Sequence, residues 1–352
     1  MKQGDLNMKK KWLIGVLLMV LVMSVSGCKK DDQVVLNVYN WGDYIDESIF
    51  DTFEEETGIK VNYETYATNE EMYTKIKNGG SNYDIAIPSD YMIEKMIKED
   101  MLEPLNMDSI PNFANIDDQF KDLAFDPQNK YSIPYFWGTV GIIYNTDLIE
   151  EEIDSWDALW NPKYAGMFTM VDSQRDSIMV ALKKLGYSMN TKSVAELEEA
   201  KALLIEQKPL VLAYVGDNVK DMLISGEAAM AVVWSGEAST VIQEYDNFKY
   251  ALPKEGSNKW FDNIVIPKGS EHVAEAHQFI DFLCRGDIGF LNADYVGYAT
   301  CNTETMELLD PALMGTTYAY PDKALLENFE VFLDPGDFIS EYDRVWTEIK
   351  AN

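Results

Sequence analysis

Three times between residues 34 and 99 a short apolar, β-branched run gives way to an amphipathic helical one, and this alternation restricts the fold more than any other feature. Residues 34–39 read as a strand. Residues 48–57 carry Ile49, Phe50 and Phe53 at helical spacing, and Gly58 stops that helix. A second strand over 61–66 precedes a helix over 69–77 with Met72, Tyr73 and Ile76 on one face, ended by Gly79-Gly80. A third strand over 83–88 leads into Ser89-Asp90 as an N-cap and a helix over 91–99 with Met92, Ile93 and Met96 inward. A mostly parallel sheet covered by helices is the expected α/β architecture, because parallel strands need crossovers and helices supply them.

Ligands of such sheets gather beyond the carboxyl ends of strands. The stretch Asn-Val-Tyr-Asn-Trp-Gly-Asp-Tyr-Ile over 37–45 runs off the first strand into a loop. Gly42 permits a sharp bend there, so Trp41, Asp43 and Tyr44 are presented together. Such a loop either caps a core with its aromatics or meets a cation that carries apolar methylenes. Ser89 and Tyr91 stand at the end of the third strand, and two strand-end loops meeting at one rim favour binding.

Residues 131–145 are extended, apolar and interrupted by Pro134, Gly138 and Gly141, as a crossing between two lobes would be. Beyond them a second αβ series begins, with a helix start at 155–160, helices near 177–185, 195–206 and 218–223, and a strand over 229–234. That strand delivers Trp234 at its carboxyl end, followed by Ser235-Gly236, repeating the geometry of Trp41. A second crossing is expected over 260–267, where Trp260 and Asp262 share one face of an extended chain. An indole face and a carboxylate two residues apart can hold one ammonium by cation–π attraction and charge-assisted hydrogen bonds. The other reading is an edge strand with a packed tryptophan and a solvated aspartate. A helix over 273–283, a loop offering Tyr298 and a terminal helix over 337–350 complete the chain.

Three lysines at 9–11, an unbroken apolar run over 12–23 and Ser-Val-Ser-Gly-Cys ending at Cys28 read as a secretion signal, with Met8 as a possible start. The apolar run is shorter than the roughly 20 residues that span a bilayer, so a cleaved leader is favoured over a transmembrane anchor. Residues 29–33 suit a polar tether. The formal net charge of −31 argues against nucleic acid or anionic lipid as a partner and favours the approach of cations. Besides Cys28 only Cys284 and Cys301 remain, which excludes a disulfide-rich scaffold and a multi-cysteine metal site; the two either pair or stay as thiols.

Several motifs together resemble the spermidine/putrescine-binding proteins of bacterial ABC importers. They are Tyr39-Asn40-Trp41-Gly42-Asp43-Tyr44, Glu55 to Val61 around Thr57-Gly58, Tyr83 to Ser89, Ser132 to Gly138, Trp260-Phe261-Asp262 and Gly297-Tyr298. Val25-Ser26-Gly27-Cys28 likewise resembles a bacterial lipobox, which implies a lipid on Cys28 and a protein tethered to the bilayer outside the cytoplasm. The family resemblance implies a two-lobed periplasmic-binding-protein-like clamshell, each lobe a mixed, mostly parallel sheet flanked by helices, closing on its ligand and docking to a membrane permease. The expected division is a leader over 1–27, a tether over 28–33, one lobe of 34–137 with 261–306, and another of 138–260 with 307–352. By position the resemblance implies aromatic walls at Trp41, Tyr44, Tyr91, Trp234, Trp260 and Tyr298, with Ser89 orienting an amine. Acidic contacts fall on Asp43, Asp176 and Asp262, and on Ser173, where an acid is usual. Asp172 is a neighbouring substitute for it, and a family glutamine falls on Phe332. Both departures leave the choice between putrescine and spermidine open.

A polyamine site must bury methylenes against aromatic faces and place carboxylates at amine spacing, since an unpaired buried ammonium is costly. Neither catalysis nor a cofactor is needed, and a monomer is expected. The alternatives are a receptor for another organic cation or iron, or an extracellular hydrolase. For a hydrolase, Asp172 and Asp176 at i and i+4 could mimic a carboxylate pair, though such spacing usually marks a solvated helix face. His272 and His277 lie on different helix faces, far in sequence from the aromatic loops. Iron would draw on clustered tyrosines and acids, whereas tryptophans dominate here.

Overall fold

The computed structural model describes residues 33–79, 82–216 and 218–351. The leader, Cys28, most of the tether and Gly80 lie outside the described residues. The first series follows the expected order: β1 (Val35–Trp41), α1 (Ser48–Thr57), β2 (Lys60–Tyr66), α2 (Asn69–Lys77), β3 (Ile85–Ala86) and α3 (Asp90–Lys98). β1 pairs in parallel with β2 and β3. Alternation along β1 divides its side chains between two cores. Leu36 and Val38 join Phe53 of α1 on one face, while Tyr39 joins Met72, Met92 and Met96 of α2 and α3 on the other.

Next comes β4 (Ser132–Asn145), 14 residues long and buried throughout. It is followed by β5 (Phe168–Val171), α4 (Gln174–Lys184), α5 (Val194–Gln207), β6 (Val211–Val215), α6 (Val219–Ile224), β7 (Met230–Trp234), α7 (Ser235–Glu244) and β8 (Phe248–Ala251). The chain then returns through β9 (Lys259–Val265), α8 (Val273–Leu283), α9 (Gly286–Val296), β10 (Ala299–Thr300) and α10 (Thr303–Leu308), and ends in α11 (Ile339–Ala351). The strand order is β2-β1-β3-β9-β4-β7-β5-β6, with β8 and β10 also on β4. Residues 132–139 of β4 pair with β9, and residues 140–145 pair with β7 and β8. One strand therefore belongs to both lobes, as the extended stretch predicted. The outer pairs β1–β2, β1–β3, β5–β6 and β5–β7 are parallel, and the pairs made by β4 and β9 are antiparallel.

Several elements differ from the sequence reading. The third strand shrinks to Ile85–Ala86 because side chains take over its hydrogen bonding: the Ile87 carbonyl accepts from Trp41 Nε1 at 2.9 Å and Tyr66 OH at 2.7 Å. Residues 156–160 form a 3₁₀ turn capped by the Ser155 hydroxyl instead of opening an α-helix. Strands β5, β6 and β8 and helices α7, α9 and α10 lie outside the elements read from sequence. β9 pairs with the first half of β4, with Trp260 packed in the core of the second lobe and Phe261 in that of the first. Cys284 and Cys301 are free, buried thiols in the first lobe's core. His277 is structural, accepting the Asn106 N–H at Nε2 and donating from Nδ1 to the Val273 carbonyl.

Candidate ligand-binding site

Where the two lobes join, β9 pairs with β3 and with the first half of β4, whose second half pairs with β7. Asp262 is the centre of this junction. It is 5 % exposed, bridged in antiparallel fashion to Ser89, and its Oδ2 accepts the Tyr44 hydroxyl at 2.8 Å. Its Oδ1 has no hydrogen-bond partner among the described residues. Burial pushes the Asp262 carboxyl up to about 7, with Ser89 and Tyr44 pulling the other way. A buried carboxylate oxygen without a donor is a costly arrangement unless a cation completes it.

Aromatic rings surround this acid. Trp260, two residues earlier on the same face of β9, stands edge-on to Tyr298 at 5.2 Å, and Tyr298 meets Tyr44 at 5.5 Å. The close approach depends on Gly138 of β4, where a Cβ would lie 2.5 Å from both the Trp260 ring and the Ser235 hydroxyl. Trp41 is half-buried at the end of β1, its ring 4.6 Å from Tyr66. Tyr91, in the first turn of α3, accepts from Asn69 Nδ2 at 3.0 Å and donates to Glu70 at 3.0 Å. The same Asn69 amide donates to the Ser89 hydroxyl at 3.1 Å. Ser89 occupies the N-cap position of α3 but makes no side-chain cap, contrary to the sequence reading; its hydroxyl accepts from Asn69 instead.

On the opposite wall Trp234 ends β7, and Asp176 sits buried in the first turn of α4. Ser173 donates to Asp176 Oδ2 at 2.7 Å, and Asn258 donates to Oδ1 at 3.2 Å. Burial raises the Asp176 carboxyl, opposed by Ser173, Asn258, the Arg175 charge and the Trp234 indole. Ser173 is thus the N-cap of α4 and the partner of Asp176. Asp172 does not substitute for it: its side chain is exposed and pairs with Lys350 at 2.8 Å. Asp176 is not on a solvated face as the i, i+4 spacing suggested, since α4 is covered by α5 and α11. Asp43 stands apart from the other predicted residues, exposed on the rim. The left-handed residue of its loop is Asp43 itself, at φ 48°, rather than Gly42.

Four residues that sequence reasoning missed belong here. Asp90 is 1 % exposed and accepts from the Tyr91 and Phe261 amides at 2.6 and 3.0 Å; burial raises its carboxyl well above the usual range, and Asp262 adds to the rise. Arg175 is buried with its guanidinium 4.4 Å from the Phe332 ring centre, 4.7 Å from Tyr342 and 5.8 Å from Tyr91. Phe332, where the resemblance places a glutamine, is therefore a platform for that cation. Asn258 continues the alternation of Asp262 and Trp260, so the period of two would have found it. Glu237 accepts the Tyr298 hydroxyl at 2.7 Å, and no local pattern announced it. Among the described residues no group of three metal-ligating side chains forms.

Residues 48–312 match the model of the family described as bacterial extracellular solute-binding protein. The chain belongs to this family. Its relatives include the spermidine/putrescine-binding periplasmic protein of Escherichia coli, 36% identical over 345 residues, covering 97% of this chain and 99% of that one. Among solved structures, the spermidine/putrescine ABC transporter substrate-binding protein PotD of Streptococcus pneumoniae is 42% identical with a TM-score of 0.78 and covers 90% of this chain and 99% of its own. The TpPotD lipoprotein of Treponema pallidum is 27% identical with a TM-score of 0.82, covering 90% and 100%. The bacterial extracellular solute-binding proteins thus share this chain's two-lobed α/β fold across nearly its whole described length.

Proposed function

We propose that this chain is the extracytoplasmic solute-binding component of a polyamine ABC importer. It captures the cation between its lobes and presents the closed form to membrane permease subunits. The observation that carries the reading is Asp262: a buried acid with an oxygen left without a donor, framed by Trp260, Tyr298 and Tyr44. Ammonium groups complete such an oxygen by charge-assisted hydrogen bonds, while cation–π contacts add roughly 0.5 to 2 kcal/mol each. The relatives named for spermidine and putrescine support the same chemistry. Trp41, Tyr91, Trp234, Ser89, Ser173 and Asp176 shape the remainder of the cleft, and Asp43 meets the ligand at the rim. The protein acts by reversible binding, without catalysis, as a monomer.

Calorimetry of the full-length protein in detergent with putrescine, cadaverine, spermidine and spermine tests this. At least one is expected to bind with measurable heat, and silence from all four overturns the reading. Anchoring through a lipid on Cys28 belongs to the same proposal, supported by a relative named as a lipoprotein. Cys28→Ala is expected to release the protein from the membrane fraction; retention there rules the anchor out.

A further inference from the structure

Helix α3 carries polar residues beyond the cleft that the site does not use. Met92, Ile93 and Met96 bury one side of the helix in the first lobe. Tyr91, Glu94 and Lys98, at i, i+3 and i+7, share another face. That face meets an extended segment of the C-terminal chain. The Asp334 N–H donates to Glu94 Oε2 at 3.1 Å, Lys98 Nζ lies 2.8 Å from Glu94 and 3.3 Å from Asp334, and the Tyr91 ring stands edge-on to Phe332 at 6.2 Å. The segment is itself fastened to the second lobe on both sides of Asp334. Glu330 pairs with Lys183 of α4 at 2.6 Å, and Asn190 binds the Val331 carbonyl at 2.9 Å and the Leu333 amide at 2.8 Å. Phe338, four residues beyond Asp334, packs with the core that α4, α5 and α11 share. Asp334, between these fastenings, turns to the first lobe.

We infer that the bond from the Asp334 amide to Glu94 is a clasp on the closed form, and that it sets how fast the ligand leaves without touching it; this rests on the polyamine reading above. Glu94 and Asp334 lie outside β4 and β9, the strands on which the lobes turn, so parting the lobes breaks their contact. Encounter precedes closure, so the clasp acts on release and not on capture. The amide–carboxylate bond carries the effect, because a charged acceptor strengthens a hydrogen bond and the Asp334 side chain beside it is only 11 % exposed. Lys98 is 53 % exposed, and its ion pairs orient Glu94 while contributing little. Release governed by a backbone hydrogen bond is accordingly insensitive to salt.

Stopped-flow tryptophan fluorescence of the full-length protein in detergent, with putrescine and with spermidine, tests the clasp in Glu94→Ala, Glu94→Gln and Glu99→Ala. Glu94→Ala removes the acceptor and is expected to raise the dissociation rate constant about tenfold while association stays within about twofold. Glu94→Gln keeps an oxygen for the amide and is expected to stay within about threefold of wild type in both constants. Glu99 pairs with Lys77 and Lys95 inside the first lobe, so Glu99→Ala controls for the integrity of α3 and is expected to leave release unchanged. Wild-type release from Glu94→Ala, a loss confined to association, a glutamine variant as fast as the alanine one, or equal acceleration by Glu99→Ala overturns the inference and leaves polyamine binding standing. A wild-type protein that gives neither a fluorescence change nor calorimetric heat with either ligand overturns the function and this inference together. Thermal melts separate unfolded variants from folded ones, and Asp334→Pro, which deletes the donor N–H, carries the test if Glu94→Ala does not fold.

Discussion

At the scale of single residues the proposed site turns on Asp262. Its carboxyl is buried and held near 7, far above the usual carboxylate range, because desolvation outweighs the help of Ser89 and Tyr44. An ammonium beside it would reverse that balance and draw the proton off. Polyamine affinity is therefore expected to rise with pH up to about 7 and level off above it. The slope approaches about tenfold per pH unit below that value. Calorimetry from pH 5.5 to 8.5 in buffers of different ionisation heat checks this, with proton release near pH 7 as the second signature. Stability without ligand runs the opposite way. Between about pH 4 and 7 the folded state holds this proton and the unfolded state does not, so Asp262 makes the protein less stable as pH rises through the window. Asp262→Asn cannot ionise, so its melting temperature is expected to lack this decline, while its polyamine affinity falls by about 2 kcal/mol, roughly thirtyfold. Equal affinity in the two proteins would remove Asp262 from the site. The pair Trp260 and Asp262 was legible in the sequence because alternation along a strand is a local rule. Asp90 and Arg175 were not, since burial of an ionisable side chain depends on what tertiary packing lays over it.

Elements set how the rings are held, and α7 is the informative one. It begins directly after β7, at Ser235, so Gly236 falls in its first turn beneath the Tyr298 ring. Gly236→Ala brings two opposed effects. Helix propensity improves by about 1 kcal/mol, while forcing a methyl into a packed ring costs about 1 to 3 kcal/mol. Stability is expected to stay level or drop slightly. Binding is more sensitive, because the displaced ring loses its contacts with Glu237 and Trp260: about a tenfold loss of affinity is expected in calorimetry, with melting temperature as the control. Wild-type affinity in Gly236→Ala would show that the Tyr298 position is immaterial. The first βαβαβα series and the long strand β4 could be read from periodicity, whereas α7 could not, because Ser235-Gly236 signals a turn as readily as a helix start. The short strand β3 was over-read for a related reason: the tryptophan and tyrosine that satisfy the Ile87 carbonyl come from β1 and β2.

For the whole molecule, the two lobes and the shared strand were legible, since two αβ series separated by an apolar extended stretch leave few other arrangements. The excess of acid was legible too, but its distribution was not. Asp90, Asp176 and Asp262 are buried at the junction, while Asp43 and Glu70 are exposed around it. With a formal net charge of −31, the field outside the cleft attracts a polycation over a distance set by salt. The Debye length is about 30 Å at 0.01 M and about 8 Å at 0.15 M, so this guidance operates at low ionic strength and fades near physiological salt. In the proposed binding mode the ammoniums of an enclosed ligand face buried acids that mobile ions scarcely screen. Salt should consequently act on capture and not on release. Stopped-flow tryptophan fluorescence is expected to show the association rate constant falling about tenfold or more between 0.01 and 0.3 M salt, with the dissociation rate constant changing by no more than about twofold. Asp43→Asn, altering an exposed rim acid outside the buried set, is expected to lower association at low salt by more than it raises dissociation. A salt-dependent dissociation rate would mean instead that the ligand is held by exposed charges, and that the buried face of Asp262 is not where the cation rests.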